Sequence, residues 1–189
     1  MRKRADDVAL TRQRIIEAAV RLHGTIGPAA TTVSALAEEA EVTRLTVYRH
    51  FPDDLSLFSA CSQHWAAGQT FPDPEQWMEI DDGLDRLRAA LADVYRFYRH
   101  AEPMLTNVRR DRDVLPEEIL QRTAETEASY CDAVLNDFSV KGRQRALLRA
   151  AVSHALNYWT WYSLCIENKL SNAEATRLMM SMTTPASAV

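Results

Sequence analysis

The stretch from Thr31 to Phe51, TTVSALAEEAEVTRLTVYRHF, restricts the fold of this chain more than any other part of the sequence. Its first half places apolar residues at helical spacing on one narrow face: Val33, Leu36, Ala37 and Ala40. A threonine stands before each half, Thr31 or Thr32 before the first and Thr43 before the second, where a hydroxyl can accept a hydrogen bond from the opening helical turn. The stretch therefore predicts two short helices joined by a tight turn.

The second of these helices has one apolar side and one polar side. Val47 and Phe51 form the apolar side, and Ala37 of the first helix is small enough to let Val47 approach closely. The other side carries cations, hydroxyls and a phenol without a carboxylate: Arg44, Thr46, Tyr48, Arg49 and His50. Such a surface also suits a solvated helix, but after a short turn it is typical of the recognition helix of a helix-turn-helix. We therefore expect this side to face DNA.

The whole chain has the composition of a helical protein. Among 189 residues there are only 5 Gly and 7 Pro, and 47% of the residues are hydrophobic. No run alternates in the manner of a β-strand. We expect an all-α fold with a three-helix helix-turn-helix domain at residues 1–52 and a larger helical ligand-binding and dimerisation domain at residues 53–189. The first helix is predicted to begin at Thr11.

The distribution of charge also separates the two ends of the chain. The net charge is −4, whereas the first 50 residues carry eight basic and six acidic side chains, a net of +2, which leaves −6 for the rest. A basic head on an acidic body suits a protein that contacts phosphates at one end only.

The second half of the sequence predicts long helices. A short helix is expected to restart at Pro103, a continuous helix to run over about residues 142–168, and a last helix, opened by a Ser171–Glu174 capping box, over about residues 172–182. The last two carry more apolar surface than one small body can cover, which predicts a homodimer through them.

The cysteines and the apolar runs bear on the compartment. The 3 cysteines lie far apart, as expected of buried thiols in a reducing cytoplasm. No apolar signal-peptide core follows the basic start, and the run from Ala155 to Ile166 falls short of the roughly 20 residues that a membrane span needs. We expect a cytoplasmic protein without a membrane partner.

Two pairs of residues suggest other chemistry, and neither is complete. Cys61 and His64 have the spacing of two metal ligands on a helix, but a third or fourth ligand is not evident. Cys131 and His154 would need an orienting acid and an oxyanion-binding turn to act as nucleophile and base. We therefore expect no metal site, no cofactor and no enzymatic activity.

Several aromatic and polar side chains recur on apolar surfaces of three helices in the second domain. Ligand pockets combine mostly apolar walls with a few polar groups in this way. The candidates for contacting a small-molecule effector are Tyr95, Tyr98, Tyr130, His154, Tyr158 and Trp161. An aromatic core with exposed polar tips would produce the same pattern.

The N-terminal pattern, ending in Thr-Val-Tyr-Arg-His-Phe-Pro at residues 46–52, resembles the tetracycline-repressor (TetR) family. The resemblance covers residues 11–65, and beyond them only the number and length of helices agree. It implies a dimer whose heads bind operator DNA, whose bodies bind a small molecule, and whose last two long helices form a four-helix interface.

The resemblance also implies roles for particular residues. Thr32, Tyr48 and His50 match phosphate-contacting positions, and the positions that face the major groove are Thr43, Arg44, Leu45, Thr46 and Arg49. The chemistry agrees, because arginine can bridge two guanine acceptors and leucine or threonine can meet a thymine methyl group, while hydroxyls suit phosphates.

The chain departs from the family pattern at two places. Glu41 stands where the turn commonly has glycine, so a positive φ would strain it. Asp53 and Asp54 stand where a phosphate-binding lysine is common.

The favoured hypothesis is a dimeric, ligand-responsive regulator, a repressor that binds a palindromic operator. The alternative is a dimeric helical module that binds a small molecule or a protein and has lost DNA binding.

Overall fold

The computed structural model describes residues 2–136 and 138–187, and within these ranges it contains ten α-helices and no β-strand. The all-α prediction is confirmed for this part of the chain. The residues form two compact units. One contains the chain up to Gln69 together with Ala101–Arg122, and the other contains Thr70–His100 together with the chain from Thr123 onward.

The first unit is built on four N-terminal helices. They are α1 (Arg2–Thr25), α2 (Val33–Glu39), α3 (Arg44–His50) and α4 (Asp54–Ala67), with a 3-10 turn at Pro28–Ala30. Helix α1 packs against α2 and α4, and α2 packs against α3. Their core consists of Ile15, Ile16, Ala18, Ala19, Leu36, Ala37, Ala40, Val47, Phe51 and Cys61.

The expected start of the first helix was wrong, because α1 begins at Arg2 rather than at Thr11. The Thr11 hydroxyl donates a hydrogen bond to the Asp7 carbonyl at 2.8 Å. A threonine inside a helix commonly bonds back to the preceding turn in this way. Thr11 is therefore an internal residue of α1 and not its cap.

The remaining helices are α5 (Pro74–Met78), α6 (Gly83–Arg110), α7 (Glu117–Leu135), α8 (Gly142–Leu156), α9 (Tyr158–Tyr162) and α10 (Asn172–Ser187). A π-helical segment, Ser163–Glu167, follows α9. In the second unit α8 packs against α10. None of the helices in the two described ranges is both long and apolar enough to cross a membrane.

Two predictions about these helices were wrong. Pro103 does not restart the chain but lies inside α6, which continues past it although proline has no backbone N–H to donate. The expected helix over residues 142–168 is interrupted at Asn157, whose backbone is extended with φ −69° and ψ 139°. The Asn157 side chain accepts a hydrogen bond from the Trp159 N–H at 2.8 Å and so caps α9.

The predicted helix starts near the N-terminus are confirmed in detail. The Thr32 hydroxyl accepts from the Ala35 N–H at 3.1 Å, and the Thr43 hydroxyl accepts from the Thr46 N–H at 3.2 Å. The predicted capping box is also present, because the Ser171 N–H donates to the Glu174 carboxylate at 2.8 Å and the Glu174 N–H donates back at 3.3 Å.

Candidate nucleic-acid interface

Helix α2 ends in a hydrogen-bonded turn that determines the direction in which α3 leaves. The Glu41 N–H donates to the Glu38 carbonyl at 3.0 Å, and the Val42 N–H donates to the Ala37 carbonyl at 2.9 Å. This pair of bonds is a Schellman motif, whose first residue beyond the helix cap adopts a left-handed backbone. Glu41 is that residue, with φ 52°. Glu41 therefore has a positive φ, which strains a residue with a Cβ.

The apolar sides of α2 and α3 meet in the core of the first unit. Ala37 and Val47 are 4% and 2% exposed, and Phe51, which ends α3, is 4% exposed. Val42 in the turn packs partly buried against the same core. This packing fixes which side of α3 remains outside, since a seven-residue helix with one buried stripe presents the opposite stripe to solvent.

That outer side is exposed as the sequence predicted. Leu45 is 77% exposed and Tyr48 is 49% exposed, and Arg44 and Arg49 are exposed beside them. In the described part of the chain, neither arginine lies within ion-pair distance of a carboxylate. The exposed surface of α3 therefore offers uncompensated positive charge together with one large apolar side chain.

The threonines at the helix starts keep part of their hydrogen-bonding capacity. A hydroxyl can donate one bond and accept two. Thr32 uses one acceptor site for the Ala35 N–H, so its proton can still be donated to a phosphate. The hydroxyl oxygens of Thr43 and Thr46 are 2.9 Å apart, so one of these two protons is engaged within α3.

The imidazole of His50 lies at the C-terminal end of α3. Partial burial lowers the pKa of His50 below its ordinary value, and the positive charges of Arg49 and Arg12 lower it further. At neutral pH the ring is therefore mainly uncharged and can donate one N–H. Arg12 comes from α1, so cationic groups of two helices converge at this end of α3.

Asp53 and Asp54, which stand where the pattern resembled by this chain commonly has a lysine, have a structural role at the start of α4. The Asp53 carboxylate accepts a hydrogen bond from the Ser56 N–H at 2.7 Å and caps α4. Asp54 follows in the first turn, where a negative charge complements the helix dipole. The substitution thus stabilises the start of α4, although it places negative charge near the end of α3.

The first unit also includes contacts from the end of α6 that the sequence did not suggest. The Asn107 amide donates to the His23 carbonyl, and Arg110 donates to the Ile26 carbonyl, both at 3.1 Å. The Asp111 carboxylate accepts from the Ala29 N–H at 3.1 Å. A Cβ at Gly27, whose φ is 91°, would collide with the Arg110 guanidinium. These partners are more than 80 residues apart in sequence, so no local spacing indicates them.

Most of the residues predicted to contact an effector form an aromatic core in the second unit. Tyr95 and Tyr98 are 0% and 3% exposed, and Tyr158 and Trp161 are both 0% exposed. The Tyr98 and Tyr158 rings are 5.1 Å apart, and the Tyr158 and Trp161 rings are 5.5 Å apart. Tyr130 lies apart from them against Trp77, and His154 is exposed on α8. Effector binding by these six residues stays a prediction.

Two of these phenols already have structural partners. The Tyr95 hydroxyl donates to the Ala155 carbonyl at 2.7 Å, and the Tyr98 hydroxyl donates to the Leu156 carbonyl at 2.9 Å. The last four carbonyls of any helix lack partners within it. The two tyrosines therefore satisfy the end of α8 where Asn157 interrupts the helix.

The residues considered for metal binding or nucleophilic chemistry contact other partners, and the Cys131 thiol donates to the Arg149 carbonyl at 3.7 Å. Cys61 lies 3.7 Å from the Nδ1 atom of His23, whereas His64 lies 3.4 Å from the Gln13 amide. Burial raises the pKa of the Cys61 thiol to about 11. Among the residues with described positions, no group of three or more His, Cys, Asp or Glu could hold a metal ion.

Comparison with known proteins agrees with this geometry. Residues 15–61 match the family model described as "Bacterial regulatory proteins, tetR family". The HTH-type transcriptional regulator AcrR of Shigella flexneri is 40% identical over 58 residues, which span 31% of this chain and 27% of that protein.

A solved structure extends the likeness of fold over most of the chain. The crystal structure of a tetR-family transcriptional regulator from Streptomyces coelicolor matches with a TM-score of 0.61. The match covers 94% of this chain and 82% of that one at 19% identity, which shows a shared fold. The matched proteins are named as regulators, in agreement with the expectation that this chain is not an enzyme.

Proposed function

We propose that this chain is a regulator of the tetR family, whose model its residues 15–61 match, and that it is a ligand-responsive repressor that binds a palindromic operator as a homodimer. The helix-turn-helix of residues 1–52 is the proposed DNA-binding part, and residues 53–189 are the proposed effector-binding and dimerisation part. The site of action would be the bacterial cytoplasm, where operator DNA is present.

The observation that carries this proposal is the exposed side of α3. Arg44 and Arg49 have no carboxylate partner in the described ranges, and Leu45 is 77% exposed. Phosphates supply the missing negative charge, and a base edge in the major groove supplies acceptors for arginine and a methyl group for leucine. A water-facing helix would gain nothing from exposing Leu45.

Exposed apolar side chains on the last helices support the homodimer. Leu147 on α8, Trp159 on α9, and Leu178 and Met182 on α10 are 46%, 44%, 40% and 59% exposed. Apolar groups concentrated on neighbouring helices favour burial against a second copy. Two linked heads are also what a palindromic site with two half-sites requires.

Response to an effector would be a shift between conformations of the dimer with different affinities for DNA. An effector can change DNA affinity only as far as it binds those conformations unequally. Helix α6 supplies residues to both compact units, and its last turn bonds to the end of α1 through Asn107 and Arg110. This helix is therefore the proposed path of the response.

The proposal is tested by titrating the full chain against DNA from upstream of its own gene and against scrambled DNA, at low and moderate salt. We expect two chains per operator, and an affinity that falls steeply as salt rises. Arg44→Ala should weaken operator binding by about 1–3 kcal/mol per protomer, roughly 5- to 150-fold, through loss of a base contact, and by about twice that free energy for the homodimer, which loses two such contacts. Tyr48→Ala should also weaken binding, through loss of a phosphate contact.

The control is Arg88→Ala, which removes an exposed cation of α6 that pairs with Asp85 in the second unit. This variant should bind the operator as the unaltered chain does. Unchanged affinity of Arg44→Ala and Tyr48→Ala would refute the assignment of α3. Absence of binding to either DNA at low salt would instead support the helical module without DNA binding.

A further inference from the structure

We propose that Arg12 of α1 is an additional DNA-binding residue, which with His50 holds one backbone phosphate between α1 and the end of α3. This inference rests on the proposed function and extends the contact surface beyond the helix-turn-helix to a helix that precedes it. The ligand is a phosphate diester of duplex DNA, recognised by charge and not by base sequence.

The first observation is the position of the Arg12 side chain. Its guanidinium carbon lies 4.8 Å from the centre of the Phe51 ring. Phe51 is only 4% exposed and belongs to the core, so the ring is a fixed support at the C-terminal end of α3. A planar guanidinium stacks well on an aromatic face and keeps its N–H groups at the edge free to donate.

The second observation is the absence of a counter-charge. Arg12 is exposed, and it has no carboxylate within ion-pair distance in the part of the chain that the structure describes. The neighbouring Arg21 of the same helix, by contrast, forms an ion pair with Glu39 at 2.7 Å. A stacked guanidinium without an internal partner is preorganised for an external anion.

The third observation is the convergence of donors from two helices. The Arg12 guanidinium stacks on Phe51, the residue that follows His50, and Arg49 precedes His50; the positive charges of both arginines lower the pKa of the His50 imidazole. Two cations and a ring N–H thus approach one region from α1 and α3. Such a group fits a phosphate, whose several oxygens accept bonds from different directions. It does not fit a base edge, since α1 is not the helix that enters the groove.

The test measures the affinity of the full chain for operator and scrambled DNA over a series of salt concentrations. Each protomer of the proposed homodimer should lose one phosphate contact, so the slope of log affinity against log salt should become shallower by about 0.9 per protomer, or about 1.8 in all. Arg12→Ala should show this change and weaken binding to both DNAs by a similar factor. Arg12→Lys keeps the charge but not the stacked plane, so it should keep most of the slope.

The matched control is Arg14→Ala, which removes an exposed arginine two residues further along α1 and about 200° around the helix. It should bind like the unaltered chain. Thermal unfolding of each variant reports any structural effect of uncovering Phe51 separately from DNA binding.

Different failures point to different errors. If the unaltered chain binds DNA and Arg12→Ala keeps its salt slope, Arg12 merely covers Phe51 and the inference is wrong. If Arg12→Ala weakens only operator binding, the contact is to a base and the phosphate assignment is wrong. If the unaltered chain binds no DNA at all, the proposed function fails and this inference fails with it.

Discussion

Replacing Glu41 by glycine should stabilise the protein, because Glu41 is held in a left-handed conformation with φ 52°. That conformation costs a residue with a Cβ roughly 1–2 kcal/mol. Glycine avoids this cost but loses more chain entropy on folding, by about 0.4–1 kcal/mol. The exposed Glu41 side chain makes no hydrogen bond or ion pair in the described ranges, so no contact is lost. The expected net gain is about 1 kcal/mol.

The control variant Glu41→Ala separates backbone strain from charge. Alanine keeps the Cβ and therefore the strain, while it removes the carboxylate in the same way as glycine does. The free energy of unfolding of Glu41→Ala should lie within about 0.5 kcal/mol of that of the unaltered chain. Glu41→Asn should fall between the two, because asparagine tolerates the left-handed region better than most residues.

The assay is urea unfolding followed by helical circular dichroism, at equal protein concentrations so that any self-association affects all variants alike. In a thermal scan the same gain corresponds to a rise in Tm of about 2–4 °C for a chain of this size. If Glu41→Gly is no more stable than Glu41→Ala, the turn carries no strain at this position and the reasoning is refuted.

Two further predictions concern buried polar groups. Burial lowers the pKa of His23, which is 4% exposed, to about 4 in the folded chain. As the pH falls below about 6.5, the His23 imidazole becomes protonated in the unfolded chain before it does so in the folded chain. The free energy of unfolding should therefore fall by on the order of 3 kcal/mol between about pH 6.5 and pH 4. In His23→Gln the free energy of unfolding should no longer depend in this way on pH above about pH 5. If the same dependence remains, another titrating group causes it. Tyr95→Phe should lower the free energy of unfolding by about 1–3 kcal/mol, since it leaves the Ala155 carbonyl without the bond made at 2.7 Å. Tyr162→Phe is the control without a hydroxyl bond among the described residues, and an equal loss in both variants would contradict the role of that bond.

Local chemistry made the recognition region predictable from sequence. Thr32 and Thr43 cap their helices through bonds to residues three positions later, and such bonds follow from the identity of a few neighbouring residues. The same holds for Glu41, because a Schellman turn requires a left-handed residue at its place. The exposure of Leu45 followed from the spacing of Val47 and Phe51 on the opposite side.

Features that depend on distant partners could not be predicted in the same way. The apolar spacing of residues 142–168 continues through Asn157, so periodicity alone favoured one unbroken helix. The bonds from Tyr95 and Tyr98 that accommodate the interruption connect residues about 60 positions apart. The same tyrosines resemble pocket residues in sequence, because a buried hydroxyl looks identical whether its partner is a ligand or a carbonyl.

The interruption at Asn157 also carries an evolutionary consequence. Three side chains stabilise this interruption of the helix. Asn157 caps α9, and the hydroxyls of Tyr95 and Tyr98 donate to carbonyls at the end of α8. A relative in which α8 and α9 were one continuous helix would bond the Ala155 and Leu156 carbonyls internally. Such a relative would have no need of hydroxyls at positions 95 and 98. Substitutions at positions 95, 98 and 157 should therefore covary among proteins related to this one.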